Sequence, residues 1–399
     1  MFTMTQLERY ADVLLWGLKT ARSVKLKRGE IFLIRYNIPA VKLAENLQAR
    51  LLEMGMHPVL RSDATPTMER HFFDIANSQQ LVFQPPGDKA LYQNLNGSIF
   101  LHAPQDITHL SHVDPVKIGK VAIARKYIRD ILDKREEQGH FSWTLCMFPT
   151  KALAQHASLS QKAYADQIIK ACFLNRRDPI KEWQRIYQEA AHLKKRLNSL
   201  KVQYFRVESE NMDLSITPGE KRRWIGISGH NIPSFELFMS PDWRGTNGVY
   251  YADQPSYRSG NLVQNVTLHF KKGQVVGIKA RKGHRFIQKQ LAIDKGASRV
   301  GEFSLTDKRF SKINRFMANT LFDENYGGKY GNCHVALGSS YSDTYDGDKA
   351  KLTKKIKAKL GFNDSALHWD LVNTEKRRVT AQLMGGKKET IYENGVFTY

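Results

Sequence analysis

The first half of the chain alternates between two patterns of apolar residues. Between residues 4 and 18, apolar side chains recur at the spacing of a helix, and residues 40–54 repeat this pattern before Gly55, a favourable residue just beyond a helix end. Short apolar runs typical of buried strands lie between and after these segments, at residues 31–36, 57–61, 98–102 and 142–148. Helices and strands that alternate in this way predict an α/β fold with a parallel sheet.

A long amphipathic helix closes this half, and the pattern changes after it. Beyond residue 201 the segments become short, and their polarity alternates from residue to residue. Residues 263–270 and 274–280 flank a Lys-Lys-Gly turn and predict a β-hairpin. We therefore predict an N-terminal parallel-sheet α/β domain over residues 1–205 and a mixed, largely antiparallel β domain over residues 206–399.

The chain carries a large excess of basic residues. Its 399 residues include 61 Lys and Arg against 39 Asp and Glu, a formal net charge of +22. This excess suits an anionic partner such as nucleic acid, or it is spread over a solvated surface. No zinc-finger spacing or RNP-like strand is found, so we expect no nucleic acid partner. Residues 349–359 form the densest basic run and predict a surface helix with a solvated basic face. A contact with nucleic acid and the steering of an acidic peptide substrate are the alternatives for this face.

Several features bear on the compartment in which the protein works. Glu8, Arg9 and Asp12 interrupt the N-terminal segment, which therefore does not resemble a secretion signal. No apolar run approaches the roughly 20 residues that span a bilayer. Three scattered cysteines without a CxxC pair suit a reducing compartment and exclude a cysteine-only zinc site. We expect a cytoplasmic protein without a membrane partner.

The sequence motifs of several common enzyme classes are missing. The chain has no GxSxG, HExxH, Walker A or GxGxxG motif, which argues against serine hydrolases, zincins, P-loop enzymes and Rossmann dehydrogenases. Acids and histidines with mostly apolar neighbours remain in the second half: Glu236, Glu302, Glu324, His334, His368 and Asp370. Carboxylates in such surroundings are costly unless they are paired or bind a cation. Together, these side chains suit two divalent metal ions and a water that the ions activate.

Each of these residues has a simpler explanation when it is taken alone. Glu236 would be a surface acid at the end of a strand, and Glu302 would cap a helix or pair with a nearby arginine. His334 would be a core histidine whose hydrogen bonds are satisfied. His368 and Asp370 lie two residues apart, so a strand would place them on one face. There they would simply hydrogen-bond each other.

Five short motifs follow one another through the second half of the chain: Asn231-Ile-Pro-x-x-Glu236, Gly301-Glu302-Phe, Phe322-Asp-Glu-Asn325, His334-x-Ala-Leu-Gly-x-x-Tyr341 and Asn363-Asp-Ser-x-x-His368-x-Asp370. Their order and spacing resemble the aminopeptidase T and aminopeptidase S family of dinuclear metallo-exopeptidases, and the resemblance covers most of the chain. The chain departs from the family pattern at Phe235, where glycine is usual. It also departs in residues 326–333, which lengthen the segment between Glu324 and His334.

The resemblance implies a metal-dependent aminopeptidase that removes N-terminal residues from short peptides. It places the six acids and histidines around two divalent ions, which would be zinc, cobalt, manganese or magnesium. It implies that Glu302 bridges the ions and that Glu302 or Glu324 accepts the proton of the attacking water. Tyr341 would stabilise the oxyanion. A homodimer that encloses a large cavity is also implied.

Two other classes of function stay open at this point. One is a nucleic-acid-binding protein on a hydrolase-like scaffold, which the charge of +22 would suit. The other is a different metallohydrolase, such as a carboxypeptidase, which would need a cation to hold the carboxylate of its substrate.

Overall fold

The computed structural model describes residues 2–22 and 24–398. The chain divides into two compact units. Unit 1 comprises Met1–Tyr187, Ile227–Ser234 and Met317–Leu321, and unit 2 comprises Gln188–Gly226, Phe235–Phe316 and Phe322–Tyr399. The domain boundary near residue 205 stays a prediction from the sequence.

The elements are numbered in chain order. The first part of the chain contains α1 (Met4–Thr20), β1 (Ile31–Tyr36), α2 (Val41–Glu53), β2 (His57–Ser62), α3 (Pro66–Ile75), α4 (Ser78–Leu81), α5 (Pro86–Asn94), β3 (Gly97–His102), α6 (Pro115–Glu137), β4 (Ser142–Met147), α7 (Lys151–His156), α8 (Gln161–Ala171) and α9 (Pro179–Ser199). The remainder contains β5 (Val202–Glu208), β6 (Asp213–Ile216), β7 (Asn231–Ile232), β8 (Glu236–Met239), β9 (Asn247–Ala252), β10 (Ser256–Arg258), β11 (Asn261–Lys271), β12 (Gln274–Lys282), α10 (His284–Leu291), β13 (Val300–Thr306), α11 (Thr320–Asp323), β14 (Asn332–Gly338), α12 (Lys354–Lys359), β15 (His368–Asn373), β16 (Arg378–Leu383), β17 (Lys388–Glu393) and β18 (Val396–Phe397).

Unit 1 is built on a parallel sheet, as the alternation of helices and strands predicts. Its strand order over the described residues is β2-β1-β3-β4-β7, and every pair is parallel. The apolar face of α1 is buried and packs on β4 and β7. A Cβ atom on Gly17 would lie 2.6 Å from the carbonyl oxygen of Gly229, so only glycine allows this close approach of the two backbones.

Unit 2 consists largely of antiparallel strands. Across the described residues, one sheet has the order β10-β11-β9-β6-β5-β16-β17-β18, with β12 paired to β11. A separate four-stranded sheet has the order β15-β14-β13-β8. The predicted hairpin is confirmed, because β11 and β12 pair with Val266 opposite Ala280. The fold class predicted from the sequence is therefore confirmed.

The predicted helix over residues 349–359 is wrong in one respect. A 3₁₀ turn, Lys349–Lys351, comes first, and α12 starts only at Lys354. Thr353 separates the two, since its hydroxyl accepts a hydrogen bond from the backbone N–H of Ile356 and caps the new helix. In the part of the chain that the structure describes, no helix is long and apolar enough to cross a membrane.

Candidate metal centre

Adjacent strands of the four-stranded sheet carry the candidate ligands on one face. Side chains alternate along a strand, so Glu302 and Ser304 of β13 share a face, as do His334 and Ala336 of β14. Ser304 lies opposite His334 in the register of the sheet. Ala336 lies between Glu302 on one neighbouring strand and Asp370 on the other. The small side chain of Ala336 therefore sits between two carboxylates.

The outer strands complete this face. Glu236 of β8 lies opposite Thr306, two residues along β13 from Ser304. His368 of β15 lies opposite Gly338, two residues along β14 from Ala336. Five of the predicted ligands therefore come from one sheet, held together by backbone pairing between strands that are distant in the sequence.

Glycines allow the strands to approach closely beside the ligands. A Cβ atom on Gly301 would lie 2.3 Å from the carbonyl oxygen of Ser339, and one on Gly338 would lie 2.2 Å from that of Leu367. Gly338 also has a φ of +104°, which side chains other than that of glycine rarely adopt. The glycine before Glu302 is thus a packing requirement of this corner of the sheet.

The side-chain atoms of this face converge. His334 Nε2 lies 3.1 Å from Glu302 Oε1, 3.3 Å from Glu236 Oε2 and 3.7 Å from Asp370 Oδ1. His368 Nε2 lies 3.4 Å from Asp370 Oδ1 and 3.9 Å from Glu302 Oε2. Glu302 and Asp370 are therefore both placed between the two imidazoles. Within the described residues, Glu236, Glu302 and His334 form a group whose ligand atoms lie within 4.8 Å of one another.

Two buried polar atoms of this group have no hydrogen-bond partner among the described residues. They are Glu302 Oε2 and His334 Nδ1. Buried polar atoms almost always have a hydrogen-bond partner, and a bound ion is one established reason for an exception. His368 differs from His334 in that its Nδ1 has a partner: it donates to the carbonyl oxygen of Ser339 at 2.9 Å. Its other ring nitrogen, Nε2, faces the carboxylates. Metal-binding histidines are commonly oriented by such a bond. This donor set fits a divalent cation.

The charged forms of two carboxylates at this site, Glu236 and Glu324, are disfavoured by their surroundings. Burial raises the pKa of Glu236 to about 7; the His334 charge opposes this rise, and the Glu302 carboxylate adds to it. Burial also raises the pKa of Glu324 well above its usual range, with further contributions from Glu236 and Asp370. A buried carboxyl among like charges is stabilised in its protonated form or by a bound cation.

For His334 and Asp370, in contrast, the charged form is favoured. Burial lowers the pKa of His334, but the surrounding carboxylates, led by Glu236, outweigh it and raise the pKa to about 9. Burial raises the pKa of Asp370, but its interaction with His368 outweighs this and holds the pKa at about 2. Arg258 adds to this effect, and its Nη1 also donates to the carbonyl oxygen of His368 at 2.8 Å.

Glu324 and Tyr341 lie beside this face rather than on it. Glu324 follows α11, and Thr306 and Asn332 donate to its backbone carbonyl oxygen, which fixes the segment against β13 and β14. The raised pKa of its buried carboxyl group reflects its proximity to the same charges. Tyr341 is partly exposed, and the centre of its ring lies 4.7 Å from that of His368.

The structure argues against the simpler explanations of Glu236, Glu302 and His334, whereas His368 and Asp370 do lie close enough to interact, at 3.4 Å. Glu236 is buried, with 4% of its surface exposed, rather than a surface acid. Glu302 lies within β13 beside His334, and the guanidinium of Arg299 instead stacks 3.9 Å above the ring of Trp243. His334 has one ring nitrogen without a partner among the described residues, so it is not a satisfied core histidine.

Sequence reasoning missed three residues that hold the candidate ligands in place. Ser304 Oγ donates to Glu236 Oε2 at 2.7 Å, and Asn325 Oδ1 accepts from the backbone N–H of Phe235 at 2.5 Å. Arg258 is the third. A serine within an apolar strand carries no signal of its own in the sequence. Its role could have been found only from the register that places it opposite His334.

Comparison with known proteins identifies the class to which this site belongs. The sequence profile of the Peptidase M29 family, described as "Thermophilic metalloprotease (M29)", matches residues 3–397. Aminopeptidase AmpS of Bacillus subtilis (strain 168) is 30% identical over 273 residues, which are 64% of this chain and 63% of that protein. Aminopeptidase 2 of Geobacillus stearothermophilus is 26% identical over 422 aligned residues, 99% of this chain and 98% of that protein.

A solved structure shows the same fold. The structure titled "Wild-type AmpT from Thermus thermophilus" superposes with a TM-score of 0.77 at 21% identity, over 99% of both chains. A sheet face with metal-ligating chemistry and a matching family profile define a metallopeptidase. The chain belongs to the Peptidase M29 family and is a metallo-aminopeptidase that acts on peptides with divalent metal as cofactor. The relatives do not favour a nucleic-acid-binding protein or a carboxypeptidase.

Proposed function

We propose that this enzyme removes N-terminal residues from short peptides at a site that holds two divalent ions. The ligands would be Glu236, Glu302, Glu324, His334, His368 and Asp370. The observation that carries this proposal is the position of Glu302, whose Oε1 lies 3.1 Å from His334 Nε2 and whose Oε2 lies 3.9 Å from His368 Nε2. One carboxylate that faces both imidazoles suits a bridge between two ions.

The ions would activate the peptide carbonyl and water as Lewis acids. Zinc, cobalt, manganese and magnesium all suit this mixture of carboxylate and imidazole donors. The residues of the chain would supply the proton transfer and the hydrogen bond to the carbonyl oxygen. Glu324, buried and with a raised pKa, is suited to accept a proton from water and to pass it to the leaving amine; Glu302 is the other candidate for this role. The hydroxyl of Tyr341, beside His368, would donate a hydrogen bond to the carbonyl oxygen as negative charge develops there.

The remaining properties of the proposal follow from the resemblance and the composition. Restriction to chain ends would come from one metal or a nearby acid that binds the free N-terminal amine of the substrate. We infer a homodimer and a cytoplasmic location. Three free, buried cysteines are compatible with a reducing compartment.

The test measures hydrolysis of Leu-p-nitroanilide by the purified protein loaded with zinc or cobalt, before and after a chelator. Elemental analysis gives the metal bound per chain, for which we expect two ions. The Glu302→Gln variant should lose metal and activity while it stays folded. Glu375→Gln is the matched control, because Glu375 is also a hydrogen-bonded carboxylate of unit 2, held by Ser209 and Asn211.

Activity that is insensitive to the chelator would contradict metal dependence. Normal metal content and turnover in the Glu302→Gln variant would show that the bridging position is wrongly assigned. A single bound ion in a fully active enzyme would contradict the dinuclear site.

A further inference from the structure

A long loop in unit 2 begins and ends beside the candidate metal centre. Residues 341–362, here called the lysine loop, start at Tyr341, whose ring contacts that of His368. The two chain segments at its base are joined, because Ser340 N donates to Asn363 O at 2.8 Å and Asn363 N donates to Ser340 Oγ at 2.9 Å. The preceding residue, Ser339, accepts from His368 Nδ1. The base of the loop is thus fixed to a candidate metal ligand.

The lysine loop is held in one conformation by packing and hydrogen bonds. It has its own small apolar core of Tyr345, Leu352 and Phe362. Arg222 holds this core in place, since its guanidinium lies 3.3 Å above the ring of Phe362 and donates to the carbonyl oxygens of Leu360 and Ser240. A loop that is anchored in this way presents its surface side chains in a defined position.

The surface that this loop presents is strongly basic. It contains six lysines against three aspartates. Lys355 and Lys359 are exposed, and their ammonium groups form no hydrogen bond or ion pair with the described part of the chain. Lys351 is also exposed and lies 3.5 Å from Asp348. Arg244 donates to the carbonyl oxygen of Lys359, but its charge is offset by Asp242, whose Oδ2 lies 2.6 Å from its Nη2.

The lysine loop therefore joins an exposed basic surface, through its base, to the candidate metal centre. The carboxylates of the centre are the proposed metal ligands, so the lysines of the loop are the charges left to attract the rest of a peptide substrate. We propose that the lysine loop attracts acidic side chains further along the same peptide, so that the preferred substrates are short peptides with acidic residues after the N-terminal one. This inference rests on the proposed function and names its substrate class. Attraction of this kind raises the rate of association and adds specificity for acidic peptides.

The experiment compares three peptides that differ only after the first residue: Leu-Glu-Glu, Leu-Gly-Gly and Leu-Lys-Lys. At low ionic strength the metal-loaded enzyme should have a kcat/KM for Leu-Glu-Glu roughly 10-fold above that for Leu-Gly-Gly, the low end of known electrostatic steering. The ratio should fall as salt is added, because mobile ions screen exposed charges. Leu-Lys-Lys should be the poorest substrate.

The variant K351Q/K355Q/K359Q removes three loop charges. The control K201Q/K387Q/K388Q removes three exposed charges around the β16–β17 turn, in the same unit and with the same change in net charge. In the loop variant the ratio of Leu-Glu-Glu to Leu-Gly-Gly should fall to near one. In the control it should stay close to that of the unaltered enzyme.

Equal losses in both variants would show that only the overall charge matters and would overturn the role of the loop. The absence of a preference in the unaltered enzyme would also overturn it. Titration calorimetry with the same peptides separates this inference from the proposed function. Preferential binding of Leu-Glu-Glu without turnover of any peptide would contradict the aminopeptidase activity and support the loop.

Discussion

Ser304 is the side chain whose removal tests the metal centre with the least disturbance. It is fully buried on β13, and its hydroxyl donates to Glu236 Oε2 at 2.7 Å. Burial has already raised the pKa of Glu236 to about 7, and the Ser304 hydrogen bond is one of the interactions that favour its charged form. In Ser304→Ala we therefore expect this pKa to rise further, so that Glu236 holds a proton at neutral pH and binds a cation less well.

The size of the effect follows from the type of bond. A hydrogen bond to a charged group contributes about 1.5–3 kcal/mol, and about 1.4 kcal/mol corresponds to a tenfold change in affinity. The Ser304→Ala variant should accordingly bind zinc about 10- to 100-fold more weakly at pH 7, a range typical of groups that orient metal ligands. The loss should shrink as the pH is raised, because Glu236 then ionises without help.

The assay is a competitive zinc titration of the metal-free protein against a chromophoric chelator at pH 7 and pH 9. Ser209→Ala is the control, because Ser209 Oγ donates to Glu375 Oε2 at 2.6 Å and so loses the same kind of bond outside the metal centre. Zinc affinity in Ser304→Ala within twofold of the unaltered protein at pH 7 would refute the reasoning. So would an equal loss in the Ser209→Ala control.

Three further predictions follow from the same face of the sheet. First, metal uptake at pH 7 should release protons, because the pKa values of His334 (about 9) and Glu236 (about 7) mean that His334 is protonated and Glu236 about half protonated before metal binds. On acidification from pH 8 to pH 6, displacement of the His334 proton should lower the affinity by about tenfold per pH unit, and that of the Glu236 proton by about tenfold over the whole interval. Calorimetry in buffers of different ionisation enthalpy counts these protons, and a pH-independent affinity would contradict the assignment. Second, Ala336→Leu should abolish metal binding by filling the space between the two carboxylates that flank it, whereas Ala336→Gly should keep it; elemental analysis distinguishes the two. Third, Gly301→Ala should cost about 1–3 kcal/mol in urea unfolding, because its Cβ would meet the carbonyl oxygen of Ser339 at 2.3 Å; unchanged stability would show that the strands can separate freely there.

The sequence predicts the elements of this fold better than their ends. The spacing of apolar residues along α1 and the strand–helix alternation of unit 1 predict its parallel sheet, because these patterns are local. The basic run at residues 349–359 predicts one helix. The even spacing of its apolar residues predicts a continuous helix and gives no sign of the N-cap at Thr353. In the structure, a 3₁₀ turn ends before Thr353 and a new helix begins after it.

For the candidate site, the sequence indicates which residue types matter but not how they meet. The motifs around Glu302 and His368 predict ligand chemistry, yet their contact depends on the pairing of β13 with β14 and of β14 with β15. Register is a property of distant segments, so Ser304 and Arg258 could not have been singled out in advance. Only the structure shows that a serine and an arginine hold these ligands in place.

The separation of the ligands along the chain has a consequence for biosynthesis. Glu236 and Asp370 meet only when β8, β13, β14 and β15 have all paired, and such non-local pairing closes late in folding. A nascent chain that lacks β15 lacks His368 and Asp370, two of the six proposed ligands. On the proposed ligand set, full metal content in the newly made protein therefore requires that the whole sheet has formed.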